Sequence, residues 1–237
     1  MDDSKQRFDN QIGEEYDLFR LASPYHDEIQ NEAASLLKSN LSKRKNITVV
    51  EIGFGTGITS KLILGSDPRI NLLAVDNVEI MLAKAQKTLS IFPPNRFDLK
   101  INDALDFLKE LPSNSADAIV SVWVLHNIEK NHRSDILKEI YRILRPEGIF
   151  INGDKIAESD RTKHKSNLEW QIKQFDVFDS INKSELKKEW TQHYYEDEKP
   201  DKILIDNEFK SSLESIGFKE YKMTDRKYMD AIVWTRK

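Results

Sequence analysis

Between residues 47 and 151, short apolar runs alternate with amphipathic stretches, and this alternation restricts the fold more sharply than any other feature of the chain. Ile47–Ile52 is a continuous apolar run with β-branched residues, interrupted only by Thr48 and Glu51, as in a strand covered on both faces. Leu72–Val75, the alternating Phe97, Leu99 and Ile101, the almost wholly apolar Ala118–Val124 and Ile149–Ile151 read as four further strands. Between them lie helical patterns: Ile58–Leu64, Val78–Leu89, and the spacing of Ile136, Leu137, Ile140, Tyr141 and Leu144. Strand and helix taken in turn predict a parallel, doubly wound α/β sheet. Its ligand is expected beyond the carboxyl ends of the strands, where the strand order reverses.

The flanks have a different texture. Ser23-Pro24 is read as the start of a helix carrying Ile29, Ala33, Leu36, Leu37 and Leu41. Residues 157–203 are polar with scattered aromatics and are expected to be helical insertion or lid material. Beyond them, Asn207–Ile216 reads as a helix stopped by Gly217. Lys219–Arg226 and Asp230–Thr235 read as an antiparallel strand pair at the sheet edge.

Composition narrows the function classes. The 237 residues fit one sizeable domain. There is no cysteine, which excludes disulfides, thiolate metal sites and a cysteine nucleophile. The formal net charge is -4 and the lysines are interspersed with acids, so no nucleic-acid partner is expected. No run approaches a membrane span, and the polar, acidic N-terminal stretch has no apolar secretory segment. A cytoplasmic protein with no membrane partner, monomeric or homodimeric, is therefore expected. Histidine pairs lack helical metal spacing, and no metal site is expected.

The turn after the first strand, VVEIGFGTGITS, points to a nucleotide-like ligand. A phosphate-binding loop would need a Gly-Lys pair, and none is present. A dinucleotide turn needs G-x-G-x-x-G, but here the sixth position is Ile58 and the third glycine comes one residue early, at Gly57. Glycines in such a turn let the backbone approach a ribose or an amino-acid tail, and the amide groups of the following helix favour a carboxylate. Asp76, at the end of the second strand, has the acceptor capacity for a ribose diol.

The series Glu51-Ile-Gly53-Phe-Gly55-Thr-Gly57, Asp76, Asn102-Asp103-Ala104 and Leu144-Arg-Pro-Glu-Gly148 resembles the class I S-adenosylmethionine-dependent methyltransferases over about residues 47–154. The resemblance implies a mainly parallel seven-stranded sheet with an antiparallel C-terminal edge hairpin, an N-terminal helical segment and a helical insertion after strand five. As a single domain the chain divides into an N-terminal helical cap (1–45), a cofactor-binding core (46–154), a lid or acceptor insertion (155–205) and a C-terminal helix and hairpin (206–237).

It further implies S-adenosylmethionine as cofactor, S-adenosylhomocysteine as product, and in-line transfer of the methyl group to a small-molecule acceptor. The expected cofactor residues are Glu51, Gly53, Phe54, Gly55, Gly57, Asp76, Asn77, Met81, Asp103, Ala104, Ser121 and Val122, joined by Tyr16 and Arg20 from the N-terminal segment. His126 is the candidate general base, since it follows strand four and imidazole is the side-chain type suited to proton transfer near neutral pH. Tyr25, Trp123, Asp154, Trp190, His193 and Tyr194 are candidates for the acceptor side. Transfer to RNA or protein, a non-catalytic cofactor-binding subunit, transfer of another group from a cofactor derivative, and a dehydrogenase remain as alternatives.

Overall fold

A computed structural model describes residues 8, 11–224 and 226–237. The expectation for the N-terminal stretch and for Asp225, within the predicted strand Lys219–Arg226, falls partly or wholly outside these residues.

Seven strands form one sheet: β1 (Ile47–Ile52), β2 (Ile70–Asp76), β3 (Phe97–Ile101), β4 (Ala116–Val122), β5 (Leu144–Lys155), β6 (Lys219–Met223) and β7 (Asp230–Arg236). Their order is β3-β2-β1-β4-β5-β7-β6. Parallel pairing joins β1 to β2 and β4, β2 to β3, and β4 to β5. β7 runs antiparallel to both β5 and β6. The predicted antiparallel edge pair is therefore present, with β6 outermost and β7 between it and β5. The order reverses between β1 and β4, so the carboxyl ends of these two strands flank the crevice in which a doubly wound sheet binds ligands.

The two sheet faces take alternate residues of the central strands, as the two-residue period requires. Val50, Ile119 and Phe150 face one layer with α4 (Ala104–Glu110), α5 (Lys130–Ile143) and α8 (Asp206–Ile216), anchored by Phe107, Ile136, Ile140 and Leu213. Val49, Val120 and Ile151 face the other layer with α1 (His26–Ser39), α2 (Ile58–Ser66) and α3 (Glu79–Leu89), anchored by Ile29, Leu37, Ile63 and Leu89. All of these side chains are buried, which is why the strands lack a polar face.

Three boundaries differ from expectation. Ser23 does not cap α1 with its side chain. The helix starts at His26 after Tyr25, and the Ser23 carbonyl accepts the His26 amide at 3.0 Å. The Leu144–Gly148 segment lies within β5 and does not precede it, and Glu147 adopts a left-handed φ of 65° there. The strand expected at 72–75 extends over seven residues to include Asp76.

The 157–203 region is helical, as expected: α6 (Arg161–Gln174), a short turn at Val177–Ser180 and α7 (Ser184–Glu196). It has an apolar cluster of its own. Phe175, Phe178, Leu186 and Trp190 pack there with Ile12, Phe19 and Ala22 from the N-terminal turns. Insertion and N-terminal segment thus share a core placed over the carboxyl end of the sheet.

Candidate active site

The glycine turn is shaped by two different constraints. The Gly53 amide donates to the Val75 carbonyl at 2.7 Å, tying the turn to β2. A Cβ at Gly53 would lie 2.1 Å from a Val124 methyl. Gly57 has φ +82, and a Cβ there would come within 3.0 Å of the Ala85 backbone, so this glycine permits close packing of α2 on α3. Gly55, with φ +48, has nothing within 4 Å of a Cβ position. It opens directly into the cavity, which Gly53, Asp76, Asn77, Met81, Asp103, Ala104 and Val122 also line.

Asp76 is the best-fixed acid of this cavity. Its Oδ2 accepts the Gly55 amide at 2.8 Å and its Oδ1 accepts the Val78 amide at 2.9 Å. Burial nonetheless pushes its carboxyl above the usual range. Asp103 divides its carboxylate: Oδ1 caps α4 by accepting the Leu105 and Asp106 amides, while Oδ2 lies 3.3 Å from His132 Nε2.

Glu51 lies beneath the turn, 1% exposed. One of its oxygens accepts the Ser60 hydroxyl; Oε1 is buried without a partner. Burial pushes this carboxyl up to about 8. A glycine cradle open to the cavity and a pinned ribose-type acid together suit a ligand that combines an amino-acid tail and a ribose.

Trp123 forms the far wall with Phe8 and Tyr16. It holds a left-handed φ of 55°, an uncommon conformation for a bulky residue and one found at functional sites. Its indole donates to Asp230 Oδ1 at 2.9 Å and stacks on His26 at 5.1 Å between ring centroids. Asp230 is buried, and burial pushes it up to about 7. Burial, then the charge of Asp76, raises the Tyr16 phenol far above its ordinary range, so it stays neutral.

Behind this wall lies a polar cluster. The His126 ring Nδ1 is hydrogen-bonded to Asp154, which also accepts the His126 amide. His126 Nε2 is 3.8 Å from Asp197 Oδ2, and His193 Nε2 is 3.6 Å from the same oxygen. Lys155 pairs with Asp197, and its ammonium lies 3.7 Å from the Tyr194 ring centre.

Several expected contacts are not made. Phe54 is 2% exposed and packs under the turn in the sheet core, away from the cavity wall. Gly57 serves helix packing, as above. Ser121 is fully buried in β4 and its Oγ has no partner. Arg20 lies on the surface, paired with Asp27. Tyr25 stacks with Trp170 and Tyr228 outside the cavity. Trp190 is packed 4.4 Å from Phe19 in the insertion core. Asp154 faces His126 with no exposure, and Tyr194 is buried against Phe175 and Lys155. In each case, apolar burial or a nearer charge claims the side chain. Sequence reasoning missed Phe8, Val124 and Ile128 on the wall, and Lys155 and Asp197 in the cluster. The four-residue spacing of His193 and Asp197 was the available signal for the latter.

Comparison with known proteins agrees with this geometry. Residues 50–152 match the family profile of a methyltransferase domain. The chain is 29% identical over 223 residues to a carboxy-S-adenosyl-L-methionine synthase of Helicobacter pylori, covering 90% of this chain and 86% of that protein. An O-methyltransferase family protein from Burkholderia thailandensis superposes with a TM-score of 0.68 at 12% identity, over 99% of this chain and 62% of that one. Phosphoethanolamine N-methyltransferase 2 of Haemonchus contortus, solved with S-adenosyl-L-methionine, superposes with a TM-score of 0.57 at 16% identity, over 82% of this chain and 38% of that one. No helix among the described residues is long and apolar enough to cross a membrane. With its strand order, its glycine cradle and its cavity at the switch point, the chain has the fold of the class I S-adenosylmethionine-dependent methyltransferases and carries a methyltransferase domain over residues 50–152; it is an enzyme whose cofactor is S-adenosylmethionine.

Proposed function

We propose that this enzyme methylates a small-molecule acceptor that enters between the glycine cradle and the Phe8–Tyr16–Trp123 wall. That aromatic wall, built from the N-terminal segment and the end of β4, is the observation that carries the reading. Three aromatic side chains lining the same cavity as the glycine turn suit a compact acceptor and not a polymer. The net charge of -4 supports the same reading.

Gly53, Gly55, Asp76, Asn77, Met81, Asp103 and Ala104 would hold the cofactor, Asp76 by accepting from its ribose. Bound S-adenosylmethionine supplies an electrophilic methyl group on a sulfonium. The protein's part is to orient the acceptor, exclude water and remove a proton where the acceptor carries one. Orientation alone supplies on the order of 7–11 kcal/mol in the best cases. Trp123, fixed by Asp230 and His26, sets the acceptor wall. His126, held in one orientation by Asp154, is the residue through which the acceptor's proton leaves.

The Helicobacter relatives are named for making carboxy-S-adenosyl-L-methionine. Holding a carboxylated sulfonium calls for a cation at the reacting end. Among the described residues lining the cavity there is neither lysine nor arginine. Arg133 is engaged by the carbonyls of Leu125, Ile128, Lys202 and Ile203, and Lys155 by Asp197. Plain methyl transfer is therefore the better reading.

Methyl-labelled S-adenosylmethionine incubated with the enzyme and a metabolite extract tests it. Label in a small molecule that gains the mass of one methyl group is expected. Label confined to RNA or protein, or a carboxylated cofactor as product, would overturn the reading.

A further inference from the structure

His126, His193 and Asp197 come from two separate parts of the fold, the turn after β4 and the end of α7. All three are buried, and their ligand-type atoms lie within 4.8 Å of one another. The histidine–aspartate separations of 3.8 and 3.6 Å are close to the ~3.3 Å expected between two ligands each about 2.0–2.1 Å from a tetrahedral ion. His193 and Asp197 are one helical turn apart, and the Asp197 amide donates to the His193 carbonyl at 3.2 Å, keeping both on one face.

The surroundings of His126 fit a metal ligand. Its Nδ1 is held by a fully buried carboxylate, Asp154, which leaves Nε2 turned to the other two residues. A carboxylate behind a ligating imidazole fixes its tautomer and raises its basicity. Two imidazoles and one carboxylate, with no thiolate, select ions such as Zn(II), Co(II) or Fe(II) over Mg(II) or Ca(II). Three protein ligands leave a coordination position open.

We infer that His126, His193 and Asp197 form a binding site for a divalent transition-metal ion at the acceptor end of the active site. The placement at the acceptor end rests on the function proposed above; the ion site itself does not. His126 adjoins Asn127 and follows Val124 by two residues, and both of these line the cavity. The Phe8 ring, also in the wall, sits 5.5 Å from the His193 ring. The open position would then take a hydroxyl, thiol or amine of the acceptor. With Nε2 on the ion, His126 would have no free nitrogen to act as a base; the ion would instead make the bound acceptor group more acidic, and its proton would pass to solvent water.

Lys155 is the competing cation. Its ammonium pairs with Asp197 and rests on the Tyr194 ring. In the metal-free fold it neutralises the carboxylate that the ion would share, so the ion must displace it or use the other Asp197 oxygen.

The test is titration of the full-length, chelator-treated protein with Zn(II) by calorimetry and with Co(II) by visible absorption. Binding of one ion per chain is expected, with tetrahedral-type Co(II) bands and a raised melting temperature. His193→Gln and Asp197→Asn should each weaken binding more than 100-fold, and Asp154→Asn by about 10- to 100-fold. Lys155→Met should tighten it at least tenfold. Failure of both wild type and Lys155→Met to bind one ion overturns the inference, as does one-to-one binding that survives both ligand substitutions. Titration of S-adenosylmethionine into the same samples separates the two claims. Cofactor binding without metal binding sinks only the metal site, whereas absence of cofactor binding sinks the proposed function.

Discussion

Asp76→Asn looks conservative but is predicted to disable the site. Both carboxylate oxygens already accept backbone amides, Oδ2 from Gly55 at 2.8 Å and Oδ1 from Val78 at 2.9 Å. A carboxamide has one acceptor oxygen. In either orientation its NH2 group faces one of the two amides, leaving that donor unpaired in a largely dry place. An unsatisfied buried donor costs about 1–3 kcal/mol, which for a chain of this size lowers the melting temperature by roughly 2–12 °C. Cofactor binding suffers separately. Two charge-assisted hydrogen bonds to a ribose, each about 1.5–3 kcal/mol, become neutral ones of about 0.5–1.5 or are lost. A net loss of about 2–3 kcal/mol corresponds to affinity roughly 30- to 150-fold weaker. Calorimetric titration with S-adenosylmethionine and S-adenosylhomocysteine, together with thermal unfolding, measures both effects. Affinity within threefold of wild type at an unchanged melting temperature would refute the argument.

Gly57→Ala meets the Ala85 backbone at 3.0 Å and a left-handed φ; it should cost about 2–5 kcal/mol, whereas Gly65→Ala, in α2 with open space at its Cβ, should stabilise by about 0.5–1 kcal/mol. Thermal unfolding of the two variants should therefore move in opposite directions. Glu51 carries a pH signature. Its folded carboxyl is raised from 4.5 to about 8, so the folded chain retains a proton that the unfolded chain has lost between these values. Its contribution to stability is fully present below pH 4.5 and fades as pH rises to 8. Glu51→Gln, isosteric with the protonated acid, should gain on wild type as pH rises from 5 to 8 in urea unfolding; a constant difference across that range would contradict the burial argument.

How much of this was legible in the sequence follows from which residues interact locally. β1, the glycine turn and Asp76 form one continuous unit with its neighbouring strand, so apolar runs and glycine spacing were enough to place them. The glycines' separate tasks were not legible. Gly55 faces the cavity while Gly57 faces Ala85, and only the packing of α2 on α3 distinguishes them. Tyr16 lines the cavity beside Trp123, whereas its neighbour Arg20 is claimed by Asp27 and Trp190 by Phe19. Both are tertiary choices made by the insertion and the N-terminal turns. The His126–His193–Asp197 cluster joins segments far apart in the chain. Its one local trace is a histidine near the end of α7 and an aspartate four residues on, at the cap of that helix.

The central claim is that the open space at Gly55 belongs to S-adenosylmethionine. Gly55→Val tests it most directly, because nothing in the protein lies within 4 Å of the added Cβ, while the left-handed φ costs a β-branched residue at least about 1–2 kcal/mol, so the comparison is made on folded protein. Calorimetric titration of folded wild type and Gly55→Val with S-adenosylmethionine should give one-to-one binding for the first and at least a 100-fold loss for the second. Equal affinity in the two proteins, or no binding by the wild type, would contradict the account.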